Sequence, residues 1–253
     1  MMKKDEILKM AKISRMKPYQ QEKHYIQTLV LRSIYSEFNP AFKGGTALMF
    51  FHGLNRFSED LDFTFHEEFS GGALLKKIKS DLEYMDIKAT YKTAYDNKAS
   101  FAFKLGVEGP LFSREIERCF VDIEISRRET VEMPIRAIFL ETPYQDILPF
   151  AVGMMDVEEI VAEKIRAIIT RNKARDVYDL HFLLKRDVKI SIYLANKKLK
   201  YYNKTFDEDA FKDGIRKKKG IWTAELTPII FGQLPKFDEV ENVIIEHFTK
   251  EIG

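Results

Sequence analysis

The hydrophobic positions in the first 40 residues recur at helical spacing. From Pro18 onward, apolar residues repeat every three or four positions, with polar residues between them, which predicts an amphipathic helix. Asn39-Pro40 is predicted to end this helix, because the residue before a proline disfavours helical geometry. Residues 41–43 then predict a short strand that enters a turn at Gly44-Gly45. The apolar face of the helix comprises Ile26, Leu29, Val30, Ile34 and Phe38.

A short helix and a series of strands follow. Thr46 is predicted to cap a helix over residues 47–52. Apolar residues alternate with Asp60 and Asp62 in the next strand, and Gly71-Gly72 opens another helix. Three later segments alternate with the period of a strand. They are residues 87–95, residues 99–107, joined to the first by a hairpin turn at Asp96-Asn97, and residues 120–126.

The second half of the chain is predicted to be mainly helical. Pro143, Pro149 and Gly153 indicate a connector over residues 141–153. Asp156 then predicts a helix N-cap, with Glu159 as the capping-box acid. Helical periodicity continues through two helices and returns in the tail. The apolar positions are Ile160, Val161, Ile165, Ile168 and Ile169, and in the tail Val240, Val243, Ile244 and Phe248.

Composition excludes several classes of protein. The chain has 253 residues, of which 45% are hydrophobic and 32% charged, as in ordinary globular domains. Its net charge of +2 means that any site for a polyanion must come from a local patch. Cys119 has no second cysteine with which to form a disulfide, so a reducing cytoplasm is the expected location. No membrane association is expected, because no apolar run reaches the length of a membrane span.

The candidate chemistry lies between residues 43 and 63. Asp60 and Asp62 are two apart in a predicted strand, so both carboxylates lie on one face. Two converging carboxylates repel each other unless a cation lies between them, and oxygen ligands of this kind suit Mg²⁺ or Mn²⁺. The Gly44-Gly45 turn lacks Cβ atoms, so its backbone N–H groups can approach phosphate oxygens closely. Together these features indicate phosphoryl or nucleotidyl transfer.

The string Phe42-Lys43-Gly44-Gly45-Thr46-Ala47-Leu48, followed by Arg56-Phe57-Ser58-Glu59-Asp60-Leu61-Asp62-Phe63, resembles a known pattern. It is similar to nucleotidyltransferases related to DNA polymerase β, and most similar to the AbiEii/AbiGii abortive-infection toxins. The resemblance implies that Asp60 and Asp62 bind metal, and that Gly44, Gly45, Thr46 and Ser58 position phosphate oxygens. It also requires a third acid on a neighbouring strand. Glu124 is favoured for that role, with Asp122 as the alternative.

A second string resembles the same family. It runs Glu159 … Glu163-Lys164 … Arg171 … Arg175-Asp176-Val177-Tyr178-Asp179-Leu180. The resemblance implies that Lys164 contacts the nucleoside triphosphate and that Asp176 belongs to the active site. A pair of helices with charges at ion-pair spacing is the structural alternative.

The resemblance implies an α+β fold in two lobes. A small mixed nucleotidyltransferase sheet flanked by helices is expected in residues 1–145, and a mainly helical lobe in residues 146–253. The implied function is two-metal transfer of a nucleotide from a nucleoside triphosphate to RNA, with the 3′ end of tRNA as the expected acceptor. A cognate antitoxin is the expected protein partner. Two rivals remain: a small-molecule, aminoglycoside-type nucleotidyltransferase, and a non-catalytic protein that binds only nucleotide or antitoxin.

The region from Lys185 to Lys219 is basic and contains interleaved aromatic residues. Cations that neutralise phosphates and rings that stack on bases are typical of RNA-binding surfaces. A solvated helix face with aromatics in the core would give the same pattern. The cations in question include Lys197, Lys198, Lys200, Lys204, Lys212, Arg216, Lys217, Lys218 and Lys219.

Overall fold

A computed structural model describes residues 1–65 and 69–252. The chain divides into two compact units, each formed from more than one stretch of sequence. The predicted boundary between the two lobes was at residues 145/146. In the structure, residues 146–154 belong to the first unit. The first unit comprises Met1–His52, Ser58–Thr130 and Ile135–Met154; the second comprises Gly53–Phe57, Val131–Pro134 and Met155–Gly253.

The first unit contains a mixed sheet of seven described strands. They are β1 (Ala41–Lys43), β2 (Leu61–Thr64), β3 (Ala89–Asp96), β4 (Ser100–Val107), β5 (Cys119–Ser126), β6 (Arg136–Leu140) and β7 (Phe150–Met154). Their order across the sheet is β3-β4-β5-β2-β1-β7-β6. Strands β1 and β7 pair in parallel, as do β2 and β5, and the remaining neighbours are antiparallel.

One face of this sheet packs against helices and the other carries polar side chains. Strand β5 shows the division, since Val121, Ile123 and Ile125 are buried whereas Asp122 and Glu124 are exposed. Burial of the apolar face stabilises the unit by roughly 1.5–3 kcal/mol per fully buried large side chain. The helices of this unit are α1 (Lys4–Ser14), α2 (Pro18–Tyr35), α3 (Gly44–His52) and α4 (Gly71–Tyr84).

The second unit is built from helices. Its apolar core includes Ile165, Leu180 and Ile244, all of which are buried. The helices are α5 (Val157–Thr170), α6 (Ala174–Leu184), α7 (Ile192–Lys200), α8 (Glu208–Arg216), α9 (Trp222–Leu226) and α10 (Phe237–Ile252). The predicted α+β class, with a mixed sheet and a mainly helical C-terminal part, is confirmed.

Several local predictions were wrong. The segment predicted as a connector contains β7, whose pairing with β6 extends the sheet. Helix α2 ends at Tyr35, before Asn39-Pro40. Helix α3 begins at Gly44, so Thr46 lies inside the helix and is not its N-cap. Asp156 does cap α5, but the carboxylate of Glu159 accepts hydrogen bonds from the backbone of Glu132 and Met133 instead of closing a capping box.

The described part of the chain includes no helix with both the length and the apolar character needed to cross a lipid bilayer.

Candidate active site

A single row of paired residues crosses five strands on the polar face of the sheet. Lys43 of β1 pairs with Asp62 of β2, which pairs with Glu124 of β5. Glu124 pairs in turn with Ala102 of β4, and Ala102 pairs with Tyr95 of β3. Directly paired residues project to the same face of a sheet. The register therefore brings the carboxylates of Asp62 and Glu124 side by side on what we call the carboxylate face.

The glycine turn meets this row at Asp62. Gly44 has a φ of +79°, a conformation that glycine adopts without steric cost. A Cβ at position 44 would also overlap Asp62 Oδ2 and approach the Asp62 Cγ to 3.1 Å. Glycine is thus required at this position both by the backbone and by the neighbouring carboxylate.

Asp60 immediately precedes β2 and is half-buried. Its position is fixed through its backbone, because the Thr46 hydroxyl donates a short hydrogen bond to the Asp60 carbonyl. The preceding segment is held from α2: the buried Gln27 donates through Nε2 to the carbonyls of Ser58 (3.1 Å) and Glu59 (2.9 Å). Sequence reasoning missed Gln27, since a glutamine within an amphipathic helix gives no local sign of a distant partner.

The two candidates for the third acid differ in their surroundings. Glu124 pairs with Asp62 in the sheet register. Asp122 lies two residues earlier on the same face and forms an ion pair with Lys104 at 3.3 Å, with both side chains about half exposed (51% and 52%). The register therefore favours Glu124 as the neighbour of Asp62.

A buried ion pair lies at the other end of the row. Lys43 Nζ donates to Glu129 Oε2 at 2.8 Å, and both side chains are buried. Lys43 thus joins the row through its pairing with Asp62 and binds Glu129 through its ammonium group.

Tyr95 completes the row on β3. It pairs with Ala102, which pairs with Glu124, and its hydroxyl lies within electrostatic reach of Glu124 and Asp62. Partial burial, together with the negative charge of Glu124, raises the pKa of Tyr95 to about 12. The phenol therefore stays protonated at neutral pH and can donate to the carboxylate. Sequence reasoning missed this residue, because its face depends on an irregularity in the pairing of β3.

Lys164 and Asp176, predicted from the second motif, come together in the second unit. Lys164 Nζ lies 3.2 Å from Asp176 Oδ1 and 2.6 Å from Asp179 Oδ2. Arg171 binds Asp176 through two N–H groups at 2.7 and 2.8 Å, and Arg56 binds Asp179 in the same bidentate way at 2.6 and 2.7 Å. Three cations thus surround the two carboxylates.

The electrostatics of this cluster follow from burial and charge together. Burial by itself would raise the pKa of Asp176, but Lys164 and Arg171 outweigh it and hold the pKa well below its ordinary value. The pKa of Asp179 is likewise lowered, since Arg56 and Lys164 outweigh the effect of its burial. Sequence reasoning assigned no role to Arg56, Asp179 or Arg171. The spacing of Asp176 and Asp179, three apart on one helix, was the available signal.

Several cations of the basic region from Lys185 to Lys219 have partners within the second unit. Lys198 is buried against Glu159 (2.5 Å) and Glu163 (3.7 Å), and the buried Lys218 donates to the carbonyl of Ile168 at 2.7 Å. Among the exposed cations, Arg216 pairs with Glu241 and Lys219 with Asp238. The rings of Phe206, Phe211 and Phe248 pack against one another, and Phe211 and Phe248 are buried.

Within the described residues, no group of three or more His, Cys, Asp or Glu side chains is arranged as a ready-made metal site. The donor set nevertheless suits a hard divalent cation, because Asp62 and Glu124 present carboxylate oxygens from neighbouring strands. The missing Cβ at Gly44 leaves the space into which the Asp62 carboxylate projects. Asp62 and Glu124 are therefore of the right chemical type to bind a divalent cation.

Solved structures of known proteins share this fold. A search of curated proteins returned no significant match. Among solved structures, the chain is similar to MenT4, a nucleotidyltransferase toxin from Mycobacterium tuberculosis H37Rv, with a TM-score of 0.64 and 15% identity over 98% of this chain and 89% of that one. It is also similar to JHP933 from Helicobacter pylori, with a TM-score of 0.59 and 20% identity over 91% of this chain and 94% of that one. At these identities the likeness establishes the fold.

The sequence profile of one family extends over most of the chain. Its description is "Nucleotidyl transferase AbiEii toxin, Type IV TA system", and it matches residues 31–243. This range includes the glycine turn, the carboxylate face and the Lys164 cluster. The chain therefore belongs to the AbiEii family of nucleotidyl transferase toxins.

Proposed function

We propose that this protein transfers a nucleotide from a nucleoside triphosphate to an RNA acceptor, with the 3′ end of tRNA as the expected site. The observation that carries the proposal is the pairing of Asp62 with Glu124 beside the Gly44 turn. Nucleotidyl transfer needs carboxylates to bind divalent cations and a turn to bind phosphate, and the two features lie side by side here.

The carboxylates would bind Mg²⁺ or Mn²⁺. Asp60 and Asp62 are the first ligands, and Glu124 is favoured over Asp122 as the third, because Asp122 is already paired with Lys104. A divalent cation bound there supplies Lewis-acid stabilisation of phosphate oxygens and lowers the pKa of a coordinated hydroxyl.

The chain's own residues position the nucleotide. The backbone N–H groups of Gly44, Gly45 and Thr46 form the first turn of α3, and a helix N-terminus attracts phosphate oxygens. Ser58 lies in the segment that Gln27 fixes and is proposed to add a further phosphate contact. Together these groups hold the triphosphate so that its α-phosphorus is open to attack.

In the reaction the acceptor hydroxyl oxygen forms a bond to the α-phosphorus. The bond from that phosphorus to the bridging oxygen of the β-phosphate breaks, pyrophosphate leaves, and the hydroxyl proton passes to water. Lys164 is proposed to offset charge on the triphosphate, and the two guanidinium groups that share its carboxylates support a cationic role for the cluster. Asp176 would hold the Lys164 ammonium in place.

Family membership supports a cognate antitoxin as the protein partner and the cytoplasm as the site of action. The proposed effect on the cell is growth arrest through modification of RNA.

Incubation with each labelled nucleoside triphosphate, Mg²⁺ or Mn²⁺, and total RNA tests the proposal. We expect label from one triphosphate to appear on small RNA, and Asp62→Asn to abolish it while the thermal unfolding midpoint stays unchanged. Label that appears only on an added aminoglycoside would favour the small-molecule alternative. Full activity of Asp62→Asn would place the active site elsewhere.

A further inference from the structure

Tyr95 reaches the carboxylate face because of an irregularity in β3. Thr93 pairs with Phe103, but Tyr95 pairs with Ala102, so Ala94 is an extra residue on β3. With regular pairing, Tyr95 would lie opposite Phe101, whose ring is buried in the core. The bulge therefore moves the tyrosine ring from the core face to the face of Glu124.

The small side chain of Ala102 leaves space for the Tyr95 ring to extend toward Glu124. Tyr95 lies on β3 and Glu124 on β5, so two strand spacings of about 4.8 Å each separate their backbones. A tyrosine spans this gap only when the residue between them is small. Ala102 pairs with both Glu124 and Tyr95, so the register aligns the three residues on one face, with Glu124 within electrostatic reach of the Tyr95 hydroxyl.

We propose that Tyr95 is a positioning residue whose hydroxyl holds the Glu124 carboxylate beside Asp62, so that the pair is ready to bind a divalent cation. This inference rests on the proposed function, because it assigns a purpose to the same carboxylate face. A glutamate has three rotatable side-chain bonds, and an exposed one samples many orientations. A single O–H donor removes part of that freedom. Groups that orient a metal ligand in this way typically change metal affinity or activity 10- to 100-fold when removed.

The proposal is tested by binding of Mn²⁺ to the purified protein, followed by the loss of the free-ion electron paramagnetic resonance signal. Tyr95→Phe keeps the ring and removes only the hydroxyl, and we expect it to weaken Mn²⁺ binding by roughly 10-fold or more. Ala102→Leu should have a similar effect, because it obstructs the path of Tyr95 while leaving its hydroxyl intact. The matched control is Tyr91→Phe, since Tyr91 is exposed on the same strand but pairs with Leu105 on the opposite face.

The thermal unfolding midpoints of Tyr95→Phe and Tyr91→Phe should match that of the unmodified protein, whereas Ala102→Leu, at a buried position, should lower it. If Tyr95→Phe binds Mn²⁺ as tightly as Tyr91→Phe, or if Mn²⁺ binding does not depend on Asp62, the proposal is overturned. Failure of the proposed function gives a different result: Mn²⁺ binding would depend on both Asp62 and Tyr95, yet no triphosphate would yield labelled product.

Discussion

The carboxylate of Asp62 occupies space that any side chain at position 44 would fill. Gly44 opens α3, and Asp62 lies on β2, which pairs with β1 directly before that helix. The glycine turn at Gly44 and the metal-binding candidate Asp62 are therefore adjacent in space, so a change at one position affects the other.

Replacement of Gly44 by alanine is expected to reduce nucleotidyl transfer by at least 100-fold. The new Cβ would displace the Asp62 carboxylate, and alanine at a φ of +79° is strained by roughly 1–2 kcal/mol. Steady-state transfer rates and urea unfolding measure the two effects. Gly72→Ala is the matched control, because a Cβ there would meet only Ser70 Oγ at 3.8 Å. Equal activities of the two variants would show that the contact between Gly44 and Asp62 has no role.

The identity of the third acid is tested by a pair of isosteric substitutions. Glu124→Gln should lower transfer by a factor of 100 or more, because Glu124 pairs with Asp62 in the register. Asp122→Asn should lower it less than 10-fold, since the Asp122 carboxylate already pairs with Lys104 on an exposed part of the strand. Transfer rates at saturating Mg²⁺ decide the assignment, and the reverse order of effects would make Asp122 the ligand.

The polar face of β5 was predictable from sequence, because side chains alternate between the two faces of a strand and this alternation depends only on neighbouring residues. Alternation in β5 separates Val121 and Ile123 from Asp122 and Glu124, and period two alone gives that result. The contribution of Tyr95 was not predictable, because one inserted residue at the bulge reverses which side chains face the carboxylates. Local periodicity carries no information about such a shift.

The pairing of Arg56 with Asp179 was unpredictable for another reason. The two residues are 123 positions apart in the sequence. Their ion pair forms because residues 53–57 fold into the same unit as residues 155–253, which no local pattern indicates. The hairpin of β6 and β7 was likewise missed, because Pro143 and Pro149 lie within or beside it and indicate loops.

Acid should weaken the second unit through its buried carboxylates. The folded pKa of Asp179 is below its ordinary value of about 3.9, so its stabilisation is complete above that pH and is lost as the pH falls further. Asp179→Asn removes the ionisable carboxylate, and with it this pH-dependent stabilisation, and leaves Asp176 in place. We expect the difference in unfolding free energy between the unmodified protein and the variant to be constant from pH 7 to 5. It should shrink by up to about 1.4 kcal/mol per pH unit below pH 4.

Urea unfolding at a series of pH values measures that difference. Parallel stability curves for the two proteins down to pH 3 would show that the ion pair of Asp179 with Arg56 and Lys164 does not govern the acid transition.

Lys164 is expected to matter for both stability and nucleotide binding. Lys164→Met retains most of the side-chain volume but leaves Asp176 and Asp179 without one shared cation, and breaking a buried pair costs about 3–5 kcal/mol. Triphosphate binding, measured where the variant is still folded, should weaken by about 100-fold. The control is Lys173→Ala, whose side chain is 53% exposed and lies 3.9 Å from Glu225. Equal effects of the two variants on binding would mean that Lys164 has a structural role only.

The cations of residues 216–219 differ in burial, so replacing them separates a structural role from a role in RNA binding. Lys218 is 2% exposed and donates to the Ile168 carbonyl. Lys218→Gln should therefore destabilise the protein by about 1–3 kcal/mol, through a lost hydrogen bond in the core. Arg216, Lys217 and Lys219 are exposed, and replacing all three with glutamine should leave stability nearly unchanged.

The triple glutamine variant also tests RNA docking through this segment. Each phosphate contact that is lost flattens the dependence of log affinity on log salt by about one unit. Arg216 and Lys219 already have acidic partners in Glu241 and Asp238, and these acids would compete with phosphate for the same cations. We therefore expect the slope of RNA binding to fall by less than one unit, with transfer to RNA retained. A fall of about three units, together with loss of transfer but normal triphosphate binding, would instead make this segment the surface on which the acceptor docks.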